Sequence, residues 1–318
     1  MEKKKREMGR YFTVGNPFQT KPFRNWARAL AIANGRALEP FAGCGNIPML
    51  LEQAGYNLSF SKYDIQPAQK GIMKRDTMKS FPRGYRTVIT NPPWLAKNSA
   101  QRRGIHFPQT HFDDLYKVAL EKCLLNAENV CAIIPDTFIT SGEFRKRLMA
   151  YVSLPGEMFA DTEQPVGMAL FGKCGKAATY WIWNRRIGTI AAIESAMPKR
   201  ARRKLRFNAK DGNLGLIAVD GTKGPSIRFC GAEEIPKSAV KGTSRSRTRI
   251  LVTGTVPSTK RLNNRLAELR EKTGDMPLSS FKGTRKDGMY RRRISWRQAE
   301  DIVSEVRGCG PARRGFRA

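Results

Sequence analysis

Asn91-Pro92-Pro93-Trp94 holds the residue types best suited to chemistry in this chain of 318 residues. Two consecutive prolines donate no backbone hydrogen bond and hold φ near −65°, so the turn is stiff. A stiff turn can aim the Asn91 side-chain amide and the Pro92 carbonyl at one point. Both accept hydrogen bonds, so together they can grip an exocyclic NH2 group. Trp94 adds a flat apolar face. Such a set can hold a planar amine, for instance the N6 of adenine, while a methyl group is delivered. A proline pair after a strand also serves as a plain turn, so the weight of the motif comes from the residues that accompany it.

The elements that must position it are legible. Thr87-Val88-Ile89-Thr90 is an apolar run, and a strand is predicted over 86–90. Upstream, a strand over 36–41 enters the glycine turn Gly43-Cys44-Gly45, and a helix over 47–54 follows, with Pro48 in its first turn. A second strand over 57–63 ends at Asp64. Helical spacing runs through 111–128, and Val130 to Ile134 reads as a buried strand. Alternating strands and helices predict a mostly parallel sheet with helices on both faces. Ligands of such sheets bind beyond the C-terminal strand ends. Glu39, Asp64 and Asn91 all fall there. Glu39 to Gly45 offers a carboxylate and glycines that let a ligand approach the backbone. It is neither GxGxxG nor a Walker loop, which disfavours ordinary dinucleotide or ATP binding. Asp64 can accept ribose hydroxyls, and Asp76 can accept from an adenine amino group.

Charge narrows the class of partner. The chain carries 58 Lys+Arg against 27 Asp+Glu, a net +31. A neutral small-molecule substrate does not call for such a field, whereas a polyphosphate does. The excess is uneven: 26 cations against 15 anions up to Asn184, and 32 against 12 from Arg185 onward. A catalytic region over 1–184 and a basic nucleic-acid-binding or target-recognition region over 185–318 are expected, with a disordered tail after Gly308. Short β-prone runs at 215–219, 226–229 and 249–253 and a helix over 263–272 are predicted there, without a derivable fold. The six cysteines are scattered, and with His106 and His111 alone no metal site is expected. No apolar run is long enough for a membrane span, and the charged start lacks the apolar stretch of a secretory signal. A cytoplasmic protein of a bacterium, archaeon or phage is expected, with a monomer as the default.

In their order, these motifs resemble the gamma group of S-adenosylmethionine-dependent DNA adenine-N6 methyltransferases. Gly9-Arg-Tyr-Phe-Thr-Val14 looks like the N-terminal cofactor motif, with Thr13 its threonine. Glu39-Pro40 through Gly43 and Gly45 looks like the methionine-binding motif. Asp64 matches the ribose-binding acid and Asp76 the acid that faces the cofactor's adenine. Asn91 to Trp94, with Pro92 and Pro93, matches the catalytic motif, although Trp94 stands where tyrosine is commoner. Ile133 to Phe138 resembles the next strand-end motif. Leu154 to Phe159, followed by the strand 166–171, resembles the motif whose aromatic residue packs on the flipped base. The likeness covers residues 9–183. It implies a Rossmann-like class I methyltransferase fold, S-adenosyl-L-methionine as cofactor with no metal, and double-stranded DNA as partner. Restriction-modification is the setting it suggests.

The chemistry it implies is consistent with the residues. Adenine N6 is a poor nucleophile because its lone pair is delocalised. Asn91 and the Pro92 carbonyl would draw it towards sp3 geometry, so no strong base is needed. The base must leave the duplex, at a cost of a few kcal/mol. Stacking on Trp94, worth about 1–3 kcal/mol, would offset part of this. An RNA adenine-N6 methyltransferase would use the same turn. Glutamine methylation in proteins and cytosine-N4 methylation are related readings. An inactive methyltransferase fold that binds nucleic acid is the alternative outside the enzymes.

Overall fold

The computed structural model describes residues 16–156, 164–175, 177–200 and 205–308. Thr13, with the rest of its motif, Phe159, and the tail after Gly308 lie outside the described residues. The chain divides into two compact units, the first ending at Ile190 and the second starting at Ala191.

The first unit is built on one nine-stranded sheet. Its strands are β1 (Asn34–Glu39), β2 (Asn57–Asp64), β3 (Met73–Lys74), β4 (Thr87–Thr90) and β5 (Asn129–Pro135), then β6 (Leu148–Ser153), β7 (Val166–Phe171), β8 (Thr179–Ile182) and β9 (Arg185–Thr189). Their order across the sheet is β3-β2-β1-β4-β5-β7-β6-β8-β9. The five strands from β3 to β5 are parallel, and β7 runs antiparallel to β5 and β6. Every residue of β4 and β5 is buried. Parallel strands covered on both faces read as unbroken apolar runs, which is why these two were visible in the sequence.

Helix α1 (Lys21–Ala29) buries Phe23 and Trp26, and the Trp26 indole N–H donates to the Phe171 carbonyl at 3.0 Å. Helix α2 (Asn46–Gln53) joins β1 to β2, and α3 (Leu115–Asn126) joins β4 to β5. From β1 the chain steps one way across the sheet; from β4 it steps the other way. Right-handed crossovers therefore put α2 and α3 on opposite faces. This is the Rossmann-like arrangement that the sequence leads one to expect.

Several boundaries differ from expectation. The helix expected over 111–128 starts at Leu115, because the Asp114 side chain caps it by accepting the Tyr116 N–H. The expected division at 184/185 falls inside a β-hairpin. There β9 pairs with β8 as the outer strand of the large sheet, and the compact units part at Ile190.

The second unit has its own four-stranded antiparallel sheet, made of β10 (Arg206–Phe207), β13 (Arg247–Leu251), β11 (Leu214–Ile217) and β12 (Arg228–Gly231) in that order, with the hairpin β14 (Ser279–Thr284) and β15 (Tyr290–Arg293). Helices α4 (Thr259–Thr273) and α5 (Trp296–Gly308) complete it. Leu262, Leu266 and Leu269 of α4 and Ile302 and Val303 of α5 share a core with Leu214, Leu216, Phe229 and Ile250 of the sheet. Beside that core lies Asp220, which is fully buried. Its carboxylate accepts from both terminal nitrogens of Arg270 at 2.8 and 2.9 Å, from Arg285 at 3.0 Å, and from the Ser226, Ile227 and Arg292 backbone N–H groups. Burial alone would raise its pKa; the Arg270 fork and the backbone donors outweigh that and hold it at about 2.

Candidate active site

Strand β1 lies between β2 and β4, and the chain leaves it towards β2 on one side and departs from β4 towards β5 on the other. The crevice between β1 and β4 is thus the topological switch point, and ligands of open α/β sheets bind beyond the strand ends there. Glu39 is the last residue of β1. Leu38 pairs with Val88. Continued past the strands, that register sets Asn91 level with Phe41, two residues beyond Glu39, on a neighbouring strand about 4.8 Å away.

Glu39 is 1% exposed, and its Oε2 has no hydrogen-bond partner among the described residues. Burial pushes its carboxyl well above the usual range; Lys62 opposes the rise and Asp64 adds to it. A buried carboxyl oxygen without a donor is costly unless a ligand supplies one.

The glycine turn that follows is tied to the end of β2. The Gly43 N–H donates to Asp64 Oδ2 at 2.9 Å, while Asp64 Oδ1 accepts the Gln66 N–H at 2.8 Å. Gly43 and Gly45 both have positive φ, 54° and 73°. A side chain at either would be strained, and a Cβ on Gly45 would also meet Gln69 Nε2 at 2.6 Å. Asp76 accepts the N–H groups of Met78 and Lys79 in its own turn. The next residue, Thr77, is buried and donates its hydroxyl to the Pro40 carbonyl at 2.8 Å. That bond draws the Asp76 turn to the end of β1. Sequence reading did not single out Thr77; a hydroxyl next to an acid in a turn carries no distinguishing signal.

Asn91 and Pro93 are half-buried, and Pro92 is buried. Trp94 is 6% exposed, so its ring forms a wall of the turn rather than an open platform. The exit of the turn is pinned. The Leu95 N–H donates to Asp114 Oδ1 at 3.0 Å, and the Leu95 carbonyl accepts the Leu115 N–H at 3.0 Å. Asp114 therefore both caps α3 and anchors the turn. Burial pushes its carboxyl up to about 6, against the lowering effect of the Tyr116 and Leu95 N–H groups. Its signal in the sequence is that of an acid just before an apolar helical run. Beyond β5, buried Asp136 accepts the Tyr151 hydroxyl at 3.2 Å.

No family model matches the chain, and no curated protein matches its sequence. Solved structures do resemble it. One, from Listeria monocytogenes, is described as a class I S-adenosylmethionine-dependent methyltransferase; it is 13% identical, with a TM-score of 0.34 over 51% of this chain and 63% of that one. A type I restriction-modification methyltransferase subunit from Streptococcus thermophilus is 13% identical, with a TM-score of 0.37 over 58% of this chain and 52% of its own. A Pyrococcus horikoshii protein described as an RNA methyltransferase is 15% identical, with a TM-score of 0.35 over 53% of this chain and 89% of its own. The chain spans less than two thirds of the first two. The first unit's own strand order is that of a Rossmann-like α/β sheet.

The structure thus gathers Glu39, Pro40, Gly43, Gly45 and Asp64 at one strand edge, with Asp76 linked to them through Thr77 and Asn91 on the neighbouring strand. Among the described residues, no group of three or more His, Cys, Asp or Glu is placed to hold a metal ion, and no helix is long and apolar enough to cross a membrane. A donor-less buried carboxyl beside a glycine turn that excludes side chains suits a ligand with a cationic amino group. The methionine end of S-adenosylmethionine has one, so the residues present fit that cofactor.

Proposed function

We propose that this chain is an S-adenosylmethionine-dependent methyltransferase acting on N6 of adenine in double-stranded DNA. What carries the reading is the pairing, across the switch point, of the donor-less Glu39 carboxyl at the end of β1 with Asn91-Pro-Pro-Trp94 at the end of β4. S-adenosylmethionine supplies an activated methyl group when bound. Glu39 would accept from its amino group, and the Gly43–Gly45 turn would let it lie against the backbone. Asp64, which accepts the Gly43 and Gln66 N–H groups, would receive the ribose hydroxyls. Asp76 would accept from the adenine amino group, and Thr13 would contribute from the N-terminal motif.

Asn91 Oδ1 and the Pro92 carbonyl would hold the two N6 hydrogens of the flipped base and leave the nitrogen lone pair directed at the methyl donor. Positioning of this kind can lower a barrier by about 7–11 kcal/mol when the reacting atoms are well aligned. Pro93 stiffens the turn, Trp94 walls it, and Phe159 would pack on the base. The net +31 suits a polyphosphate, with target recognition assigned to the basic second unit that starts at Ala191.

The test is methyl transfer from labelled S-adenosylmethionine to duplex DNA, single-stranded DNA and folded RNA, with the product identified as N6-methyladenine. Wild-type protein is expected to label duplex DNA. Asn91→Ala should abolish labelling while leaving DNA affinity within about twofold. Near-wild-type turnover in Asn91→Ala would overturn the assignment. Labelling of RNA alone would move the substrate, and failure to bind S-adenosylmethionine would leave only a nucleic-acid-binding scaffold.

A further inference from the structure

The segment after the Asn91–Trp94 turn has a composition unlike the rest of the unit. From Lys97 to Phe112 it holds Lys97, Arg102, Arg103, His106 and His111 and not one Asp or Glu. Its base is closed by backbone bonds: Ala96 and Asp114 form an antiparallel bridge, and the Lys97 N–H donates to the Asp113 carbonyl at 2.8 Å. Its interior is anchored by Ala100, which is fully buried, and by Phe112, whose ring meets that of Phe144 at 5.7 Å. The result is a shaped loop with a cationic rim. Arg102, Arg103, His106 and His111 are exposed.

Lys97, Arg102 and Arg103 are not engaged as other cations of the unit are. Lys117 is paired with Asp113 and Glu143, and Arg86 and Lys173 share Glu128. Among the described residues Arg102 contacts only neutral oxygens of Asn98 and Ser99. Among the described residues Lys97 and Arg103 have no ion-pair partner. Lys97 follows Trp94 by three residues, a reach of at most about 10 Å along the chain. A base held by Asn91 would bring its own and its neighbours' phosphates to this rim.

We propose that the loop between Ala96 and Asp114 grips the backbone phosphates of the nucleic-acid strand that carries the target base. This rests on the reading of the Asn91 turn given above. It adds a second binding surface, on the catalytic unit itself, to the basic C-terminal region. Phosphate contacts position a strand without reading its sequence, so the loop sets register at the turn and is indifferent to the recognition site.

The test uses full-length protein with Lys97, Arg102 and Arg103 all replaced by Gln. Equilibrium binding to a short duplex oligonucleotide is measured across a salt series, with S-adenosylmethionine affinity measured in parallel. The slope of log K against log salt should fall by about 2–3, near 0.9 for each phosphate that the protein no longer neutralises. Affinity should drop roughly 10- to 100-fold at low salt, while S-adenosylmethionine affinity stays at the wild-type value. Arg102→Lys with Arg103→Lys should retain the slope. A second variant, Arg86→Gln with Lys122→Gln and Lys173→Gln, removes three charges around the opposite ends of the strands and should bind nearly as wild type. An unchanged slope in the loop variant, or an equal loss in both Gln variants, would overturn the proposal. Binding is read without turnover. A protein that binds through this loop but transfers no methyl group therefore overturns the methyltransferase reading alone.

Discussion

Glu39→Gln separates stability from cofactor binding, and the two should move in opposite directions. The substitution keeps the shape of a side chain that is 1% exposed and removes its charge. Burial raises the wild-type carboxyl well above its usual value, whereas in the unfolded chain it titrates near 4.3. A group raised in this way contributes stability that is fully present below about pH 4.3 and is lost as pH rises through the folded value. The loss runs at about 1.4 kcal/mol per pH unit across that window. Glu39→Gln has no such loss, so near pH 8 it should be at least as stable as wild type in urea, and its advantage should shrink towards pH 4. Cofactor affinity should go the other way. A hydrogen bond to a charged group is worth about 1.5–3 kcal/mol, so the neutral amide should weaken S-adenosylmethionine binding roughly 10- to 150-fold. Wild-type affinity should also fall with acidification, because a protonated Glu39 must release its proton to pair with an ammonium. Titration calorimetry and urea melts over the same pH series read both quantities. Equal S-adenosylmethionine affinity in the variant, or a variant markedly less stable near pH 8, would refute the reasoning.

Other substitutions test the frame around the site. Asp114→Asn can keep the bond to Leu95 while removing a carboxyl raised to about 6; the stability of wild type relative to the variant should fall between about pH 4 and 6 and level off above, and a difference that ignores pH would count against it. Asp220→Ala leaves Arg270 and Arg285 without their shared carboxylate and should cost about 3–5 kcal/mol in denaturant. The Asp220 contribution itself should persist down to about pH 4 and disappear towards pH 2, because its pKa is depressed. Gly167→Ala would place a Cβ 2.0 Å from the Tyr151 hydroxyl oxygen; about 1–3 kcal/mol of destabilisation is expected from thermal melts, and a neutral result would show that Tyr151 has room to move.

The parts of the fold that were legible share a physical property. Strands β4 and β5 are buried on both faces, so each is an apolar run that ends where polarity and proline begin. Asn91 stood out because it follows such a run, and Glu39 and Asp64 because each is an acid at the end of an expected strand. Strand β6, Leu148–Ser153, escaped because the five apolar residues Leu148 to Val152 after Arg145-Lys146-Arg147 have no period that tells strand from helix. Strand β9, Arg185–Thr189, reads as a basic linker; its arginines face solvent at a sheet edge, where cations are a common guard against further pairing. The second unit was opaque because Asp220, Arg270, Arg285 and Arg292 are scattered in sequence and meet only in space. Thr77 carries no local signal, and Asp114 shows only as an acid before an apolar helical run. Their action on Pro40 and Leu95 depends on tertiary contacts that no local pattern encodes.

The Asp220 carboxylate has a consequence for how the chain is made. Its partners lie 50, 65 and 72 positions further along, at Arg270, Arg285 and Arg292. A ribosome delivers them in that order, and domains generally fold as units during synthesis. The second unit cannot close on Asp220 until Arg292 has left the exit tunnel. The strand partners of the first unit from β1 to β9 are complete by Thr189, long before. The catalytic sheet thus has the interval needed to synthesise roughly a further hundred residues in which to fold first. A premature stop in hairpin β14–β15 would release a finished Rossmann-like unit attached to a second unit that has no centre.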